Sequence, residues 1–350
     1  MPNVLLLLAQ VAVILLAARA VGLLCRFMRQ PQVVGEMVAG ILLGPSLLGW
    51  AWPEASHRLF PAGSLGFLGA LSQVGLLVFM FLMGLELDLR HLRERGRTAV
   101  AASASSIAAP LLLGALLAGL LYPRLAPDGV PFPAFALFMG AAMSVTAFPV
   151  LARILDERGL TGTRMGSVAM ACAAVDDATA WCLLAAVALL AHADPGGLPL
   201  GPMVAGSVAL VLTAVLAVRP MLAGLERAVQ RRGALSQDVL AVALLVALAF
   251  AWTTEWLGIH AVFGAFLAGA VMPGGGAFAA AVREKVGDFA VVLLLPIFFA
   301  FTGLRTDVGL VSGAEMWMWC GLILLVAVAG KFGGCIVAAR LTGMTWRDSA

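Results

Sequence analysis

Charged residues are scarce in this chain. Lys, Arg, Asp and Glu make up 12% of the 350 residues, and tyrosine occurs only once. An average soluble protein carries about 25% charged residues. The sequence has no phosphate-binding loop, no histidine-based metal motif and no Ser/His/Asp arrangement. It also lacks the basic stripe and aromatic platform of a nucleic-acid partner. These absences argue against an enzyme, against nucleic-acid binding and against any cofactor.

Apolar residues dominate the composition. They make up 62% of the chain, the mean hydropathy is +1.02, and they come in blocks of about 20, long enough to cross a bilayer as helices. The sequence therefore predicts an all-α polytopic membrane protein, with 1–350 forming one integral membrane domain. The five cysteines lie in or beside apolar spans without metal-ligand spacing, which favours simple packing roles.

Eleven membrane-spanning helices are predicted. Their approximate bounds are 4–24, 33–49, 64–86, 98–121, 132–154, 165–191, 202–219, 235–257, 259–273, 284–304 and 315–340. Loops after odd-numbered helices hold 17 Lys and Arg residues, and loops after even-numbered helices hold 3. The positive-inside rule then places the odd-numbered loops in the cytoplasm and the N-terminus outside. We expect a multi-pass protein of a prokaryotic-type inner or plasma membrane.

An internal repeat relates the two halves. The pattern G-x-x-x-A-G in 35–40 recurs in 264–269, and the pattern F-x-x-x-x-G-L-x-x-D in 79–88 recurs in 298–307. The copies are seven helices apart, which is an odd number, so they would cross the membrane in opposite directions. Inverted repeats are a common build of secondary transporters. Helices 5 and 6 would then match a twelfth and a thirteenth helix, so we expect 11 of about 13 helices here.

The fifth predicted helix is interrupted by proline. Pro149 cannot donate to the carbonyl of Val145, and its ring pushes against that group. We expect the freed carbonyls and the hydroxyls of Ser144 and Thr146 to face the interior. Unwound backbone at membrane depth is tolerated where it lines a cavity or is buried in protein. A kinked packing helix is the alternative interpretation.

Two adjacent carboxylates, Asp176 and Asp177, lie in the middle of the sixth span. Ionisable groups at this depth usually mark an ion or proton pathway. They are about 100° apart on a helix, so they should have different partners. Lys331, the one amine inside an apolar span, could pair with Asp176 and lower the cost of burying both charges. Glu36 and Glu86, near helix ends, are interpreted as anchors or interhelical pairs.

Burial favours the neutral form of a carboxylate. A proton and a hard monovalent cation would therefore compete for the same oxygens. If access to them alternates between the two sides of the membrane, this competition is enough for antiport.

Four segments together resemble a known family. They are 144–153 (SVTAFPVLAR), 173–181 (AAVDDATAW), 258–266 (GIHAVFGAF) and 296–304 (PIFFAFTGL). They are similar to the second monovalent cation:proton antiporter family, which includes bacterial Na⁺/H⁺ and K⁺/H⁺ exchangers and plant cation/H⁺ exchangers. The resemblance runs from about 31 to 350.

The resemblance implies an inverted-repeat Na⁺/H⁺ antiporter-like fold that works as a homodimer. Scaffold and dimerisation helices would span 4–86 and 202–304, and mobile core helices would span 98–191 and 315–340. By the same resemblance, Asp177 matches the carboxylate that carries the ion. Asp176 matches the adjacent residue, which pairs with a lysine in the family, and Lys331 matches that lysine by its helix position. Thr146 lies in the family's unwound segment.

The expected function is elevator-type exchange of H⁺ for Na⁺ or K⁺. Two alternatives stay open at this point. One is a gated K⁺ efflux system of the same fold, and the other is a membrane sensor or scaffold that does not transport.

Overall fold

The computed structural model describes residues 4–87, 96–190, 199–232, 234–274 and 276–341. These residues form helices and short connections without any strand. Asp88 of the second repeat pattern lies outside the described residues. So do Arg90, Arg93, Arg95 and Arg347 of the charge count.

Fifteen α-helices are numbered here in chain order within the described ranges. The first eight are α1 (Val4–Phe27), α2 (Gln32–Leu43), α3 (Pro53–Leu59), α4 (Ala62–Leu85), α5 (Gly96–Leu125), α6 (Phe132–Ser144), α7 (Phe148–Glu157) and α8 (Arg164–Leu190). The others are α9 (Leu200–Thr213), α10 (Arg219–Arg232), α11 (Gln237–Leu257), α12 (Ala261–Val271), α13 (Ala277–Phe289), α14 (Leu295–Leu304) and α15 (Gly313–Leu341). Single π-helical turns at Pro45–Gly49, Ala214–Val218 and Ala290–Leu294 extend or join their neighbours.

Helices occupy all eleven predicted segments, but the predicted number of spans is not confirmed. Among the described residues, 10 helical stretches are long and apolar enough to cross a membrane. The helix α12 has 11 residues, which is short for a bilayer crossing. The predicted single helix over 132–154 is divided into α6 and α7. The fold is therefore a polytopic helical membrane fold, and the figure of 11 out of about 13 stays a prediction.

The repeated glycines form two equivalent helix crossings, here called the glycine crossings. A Cβ added to Gly40 on α2 would overlap the carbonyl of Ala300 on α14, and one added to Gly303 would overlap that of Met37. In the other copy, a Cβ added to Gly269 on α12 would overlap the carbonyl of Phe81 on α4.

The partner in that second crossing is Gly84, whose added Cβ would overlap the carbonyl of Phe266. Each contact in one crossing therefore has its counterpart at the matching position of the other. Small residues let membrane helices approach this closely. The contacts fit the repeat inferred from sequence.

The helices pack into two groups. The larger bundle consists of α1–α4 and α9–α14, and the smaller bundle of α5–α8 and α15. In the smaller bundle, α5 lies against both α6 and α15, because Gly114, Gly140, Gly330 and Gly334 leave room for close approach. The main contacts between the bundles run from α7 to α2 and α4, and from α8 to α9 and α12. The groups thus meet along a narrow seam.

The outer surface is apolar, as a hydrocarbon environment requires. In the membrane-length stretches of α1 and α15, only 17% and 11% of the residues are buried within the protein. Their exposed side chains include large apolar residues such as Leu16, Leu23, Leu325 and Phe332. The buried positions of α1 include Gln10, whose amide donates to the Leu59 carbonyl and the Ser64 hydroxyl.

Candidate functional site

The interruption between α6 and α7 forms one wall of the site. The helix α6 ends at Ser144, and the next residues are extended, with Val145 at φ −60° and ψ 133° and Ala147 at φ −66° and ψ 90°. The helix α7 then begins at Phe148, which makes Pro149 a first-turn residue. Proline is suited to that position because the first N–H groups of a helix have no intrahelical partner. The chain therefore unwinds before Pro149 instead of kinking around it.

Ser144 and Thr146 serve different purposes in this segment. The Ser144 hydroxyl donates to the Ala141 carbonyl within its own helix, at 2.9 Å. Its backbone carbonyl accepts a hydrogen bond from Lys331 Nζ at 2.8 Å. The expected lining role of the Ser144 hydroxyl stays a prediction, and the structure adds the Ser144 carbonyl to the site.

Thr146 links Lys331 to Asp176. Lys331 Nζ donates to the Thr146 hydroxyl oxygen at 2.5 Å, and that hydroxyl donates to Asp176 Oδ2 at 2.9 Å. The predicted pairing is thus bridged by a hydroxyl group. It still joins α8 to α15 across the smaller bundle.

Ser106 is a site residue that sequence reasoning missed. Its hydroxyl donates to Asp176 Oδ2 at 3.0 Å, and the residue is buried on α5. The available signal was a pair of adjacent serines, Ser105 and Ser106, just before the long apolar part of the helix. Ser105 instead donates to the Gly334 carbonyl on α15. Sequence cannot separate the two roles, because they depend on how α5 is rotated.

The two carboxylates have different surroundings, as their angular separation predicted. Asp176 is only 4% exposed and faces the hydroxyls of Ser106 and Thr146. Asp177 is half-buried and shares a helix face with Trp181, one turn further along α8. The Trp181 ring lies 5.3 Å from the ring of His260, at the start of α12. Asp177 is therefore on the side of α8 that approaches the larger bundle.

A second polar cluster, here called the charged seam, joins the bundles at the far end of α7. Arg153 and Glu36 are 5% and 0% exposed and lie 3.8 Å apart, so an α7 side chain is paired with one from α2. Arg153 also lies 3.6 Å from Asp156 and 3.1 Å from Glu157. The backbone N–H of Gln32 donates to Glu157 at 2.8 Å.

Arg283 on α13 extends the charged seam to the other side of α7. It donates to Asp156 at 2.7 Å and also pairs with Glu86 at the end of α4. The sequence predicted that Glu36 and Glu86 are anchors or members of interhelical pairs. Glu36 pairs with Arg153 and Glu86 pairs with Arg283, so both belong to interhelical pairs. In the seam, charged side chains from α2, α4 and α13 all converge on α7.

Comparison with known proteins places this geometry in a family. A profile described as "Sodium/hydrogen exchanger, transmembrane" matches residues 11–350. The chain belongs to the sodium/hydrogen exchanger family. The broken helix, the Asp176–Asp177 pair and Lys331 all lie within the matched region. This is a family of membrane exchangers and not of enzymes, which confirms the prediction from composition.

Curated relatives are similar along nearly the whole exchanger chain. The Na(+)/H(+) antiporter NhaS4 of Synechocystis sp. is 41% identical over 350 residues, which is 99% of this chain and 85% of that protein. Cation/H(+) antiporter 20 of Arabidopsis thaliana is 39% identical, over 98% of this chain and 42% of its own length. K(+)/H(+) antiporter 1 of Saccharomyces cerevisiae is 30% identical, over 98% and 41%. The chain thus spans about two fifths of the plant and yeast proteins.

Solved structures share the fold at low sequence identity. The sodium proton antiporter MjNhaP1 from Methanocaldococcus jannaschii superimposes with a TM-score of 0.64 at 13% identity, covering 100% of this chain and 81% of that one. A second MjNhaP1 structure, at pH 8, gives a TM-score of 0.59 at 14% identity. The polytopic antiporter fold expected from the sequence is therefore confirmed.

Proposed function

We propose that this protein is a secondary antiporter that exchanges protons for monovalent cations, Na⁺ or K⁺. The observation that carries the proposal is the meeting of unwound backbone at Val145–Ala147 with Asp176 and Lys331. Carboxylate, hydroxyl and carbonyl oxygens gathered at mid-depth suit a hard cation. The same carboxylates can take up a proton when no cation is bound, so the two substrates compete.

Each site residue has a part in this proposal. Asp177 is the carboxylate that carries the cation or the proton, because it is half-buried and faces the seam between the bundles. Asp176, held by Ser106 and Thr146, keeps Lys331 in the site. Thr146 and Ser144 belong to the same site beside the interruption, where the Thr146 hydroxyl and the Ser144 carbonyl accept hydrogen bonds from Lys331. Pro149 makes the interruption permanent, since a continuous helix would lose a backbone hydrogen bond there.

The proposed movement is of the elevator type. The residues 98–191 and 315–340 would form the mobile core, and 4–86 and 202–304 would form the scaffold and dimer contact. The separate packing of the smaller and larger bundles supports this division, because helices within each bundle contact one another more extensively than helices across the seam. The site lies entirely on smaller-bundle helices, so it would travel as a unit.

The proposed setting is an inner or plasma membrane, with the N-terminus outside and the protein working as a homodimer surrounded by lipid. The support for orientation is the 17 to 3 bias of Lys and Arg between odd and even loops. The apolar outer surface supports the membrane setting.

The cation is left as Na⁺ or K⁺, because relatives bear names of both kinds. The relatives named here are all antiporters, so neither the efflux-channel alternative nor the sensor alternative is favoured.

Reconstitution tests the proposal. The protein is placed in proteoliposomes with a pH-sensitive dye inside, and Na⁺, K⁺ or Li⁺ is added outside in turn. We expect cation-dependent proton movement in the unchanged protein and its loss in Asp177→Asn, which keeps the shape but cannot hold a negative charge. Asp307→Asn, on an exposed turn far from the site in sequence, is a matched control with expected unchanged exchange. Exchange that survives Asp177→Asn would show that another group carries the ions.

A further inference from the structure

Three groups form a directed chain of hydrogen bonds in the site. A lysine ammonium has only donors, so the 2.5 Å contact makes the Thr146 oxygen the acceptor. The single hydroxyl hydrogen of Thr146 is then free to point at Asp176 Oδ2, 2.9 Å away. The donor and acceptor order is therefore consistent from Lys331 through Thr146 to Asp176. Such an order is what proton transfer through a hydroxyl group requires.

Both ends of the chain are held in place by other contacts. Lys331 also donates to the Ser144 carbonyl at 2.8 Å, and Asp176 Oδ2 also accepts from Ser106 at 3.0 Å. The acid end is buried, since Asp176 is 4% exposed, whereas Thr146 and Lys331 are half-buried. Thr146 is consequently the group through which the described contacts connect the amine to the acid.

We propose that the Thr146 hydroxyl relays a proton between Lys331 and Asp176, a proposal that rests on the exchange function given above. In the forward step an N–H bond of Lys331 breaks and an O–H bond forms on Thr146. At the same time the original O–H bond of Thr146 breaks and an O–H bond forms on Asp176. The products are a neutral amine, an unchanged threonine and a neutral carboxylic acid. No oxidant or additional reactant is needed.

The relay gives the antiporter a way to neutralise two buried charges at once. A buried ion pair is costly because both charges lose hydration, and the neutral amine and acid avoid that cost. A cation arriving at Asp177 adds positive charge to a site that already holds the Lys331 ammonium, which disfavours the ammonium form and promotes loss of its proton. The relay therefore couples cation entry at Asp177 to proton transfer from Lys331 on α15 to Asp176, the neighbour of Asp177 on α8.

The test compares two substitutions at the same position. Thr146→Val keeps the branched shape but has no hydroxyl, whereas Thr146→Ser keeps the hydroxyl. In the proteoliposome assay we expect Thr146→Val to slow maximal exchange by about a hundredfold, the lower end of the range for positioned proton transfer. Its apparent KM for the cation should change little. Thr146→Ser should restore most of the rate, and exchange in D₂O should be slowed in wild type and Thr146→Ser alike.

Ser106→Ala is the matched control, because it removes the other hydroxyl bond to Asp176 and leaves the bridge intact. We expect it to reduce the rate much less than Thr146→Val. Equal losses in the two variants would overturn the relay and indicate that both hydroxyls merely position Asp176. A raised KM with an unchanged maximal rate in Thr146→Val would also overturn the relay, because it would indicate that Thr146 binds the cation. Wild-type exchange in Thr146→Val would overturn the relay alone. Absence of exchange in the wild-type protein would overturn the proposed function, and the relay with it.

Discussion

The glycine crossings and the charged seam are two contrasting ways of joining helices in this molecule. In the crossings, α2 meets α14 and α12 meets α4 through backbone atoms, because Gly40 and Gly269 leave no side chain between them. In the seam, α7 meets α2 and α13 through long charged side chains, with Arg153 and Arg283 at the centre. The contacts in the crossings are between backbone atoms, whereas the contacts in the seam are between charged side chains.

The contrast shows where the molecule tolerates change. A backbone contact cannot adjust without moving a whole helix, and membrane helices have no hydrophobic driving force that would compensate for a looser fit. Long charged side chains can separate and re-form contacts, since water or other charges replace their partners at a helix end. The crossings therefore suit a fixed frame. The seam suits an interface that opens, as the proposed elevator movement requires.

The largest expected effect comes from filling a glycine crossing. Gly40→Leu and Gly269→Leu should each cost more than the ~1–3 kcal/mol typical of overpacking, because the new side chain meets the carbonyl of Ala300 or Phe81. We expect both to abolish monodisperse protein in detergent, measured by size-exclusion chromatography. Equal loss is expected because the sites are equivalent in the repeat.

Gly66→Ala is the control for the crossings, since nothing lies within 4 Å of a Cβ added at that position of α4. It should be neutral or should stabilise the helix by about 0.5–1 kcal/mol. If Gly40→Leu purified as well as Gly66→Ala, the glycine crossings would not be the rigid contacts inferred above.

A smaller but still large effect is expected at the centre of the charged seam. Arg153→Gln leaves the fully buried Glu36 without its cation, and removing one partner of a buried pair costs about 3–5 kcal/mol. We expect a clearly lowered thermal transition in detergent, with folded protein still obtained. Arg158→Gln, at an exposed neighbour whose guanidinium donates to the Arg29 carbonyl, should stay within ~0.5 kcal/mol of wild type. Similar transitions for the two variants would argue against the buried pair as a stabilising contact.

The smallest effect is expected at an exposed ion pair, which is an Arg–Glu pair as in the charged seam but is not buried. Arg124 lies 3.6 Å from Glu315, with side chains 57% and 66% exposed, and its guanidinium lies 5.2 Å from the centre of the Trp319 ring. Arg124→Gln should cost about 0.2–1 kcal/mol, measured by the same thermal transition, and the effect should shrink in high salt. A loss as large as that of Arg153→Gln would mean that burial is not what separates the two pairs.

Much of the fold could be predicted from the sequence, because its signals are local. Apolar length located all eleven helical segments, and the patterns around Gly40 and Gly269 indicated the repeat before their contacts were known. Charges in the middle of an apolar segment marked Asp176, Asp177 and Lys331 as unusual. Each of these inferences needs only the spacing of residues along one helix.

The contacts inside the site could not be predicted in the same way. The Thr146 bridge, the role of Ser106 and the use of the Ser144 carbonyl all depend on the rotation and depth of neighbouring helices. The Arg153–Glu36 pair joins residues far apart in sequence, on α7 and α2.

The sequence by itself determined that this chain is a bundle of membrane helices with an internal repeat and a buried carboxylate pair, since hydropathy, charge and short motifs are properties of single segments. The tertiary structure decided that Lys331 reaches Asp176 through Thr146, that Ser106 contacts Asp176 and that charges join the two bundles. Those facts arise from distances of about 3 Å between different helices, and a rotation of one helix by a single residue position, ~100°, would change every one of them.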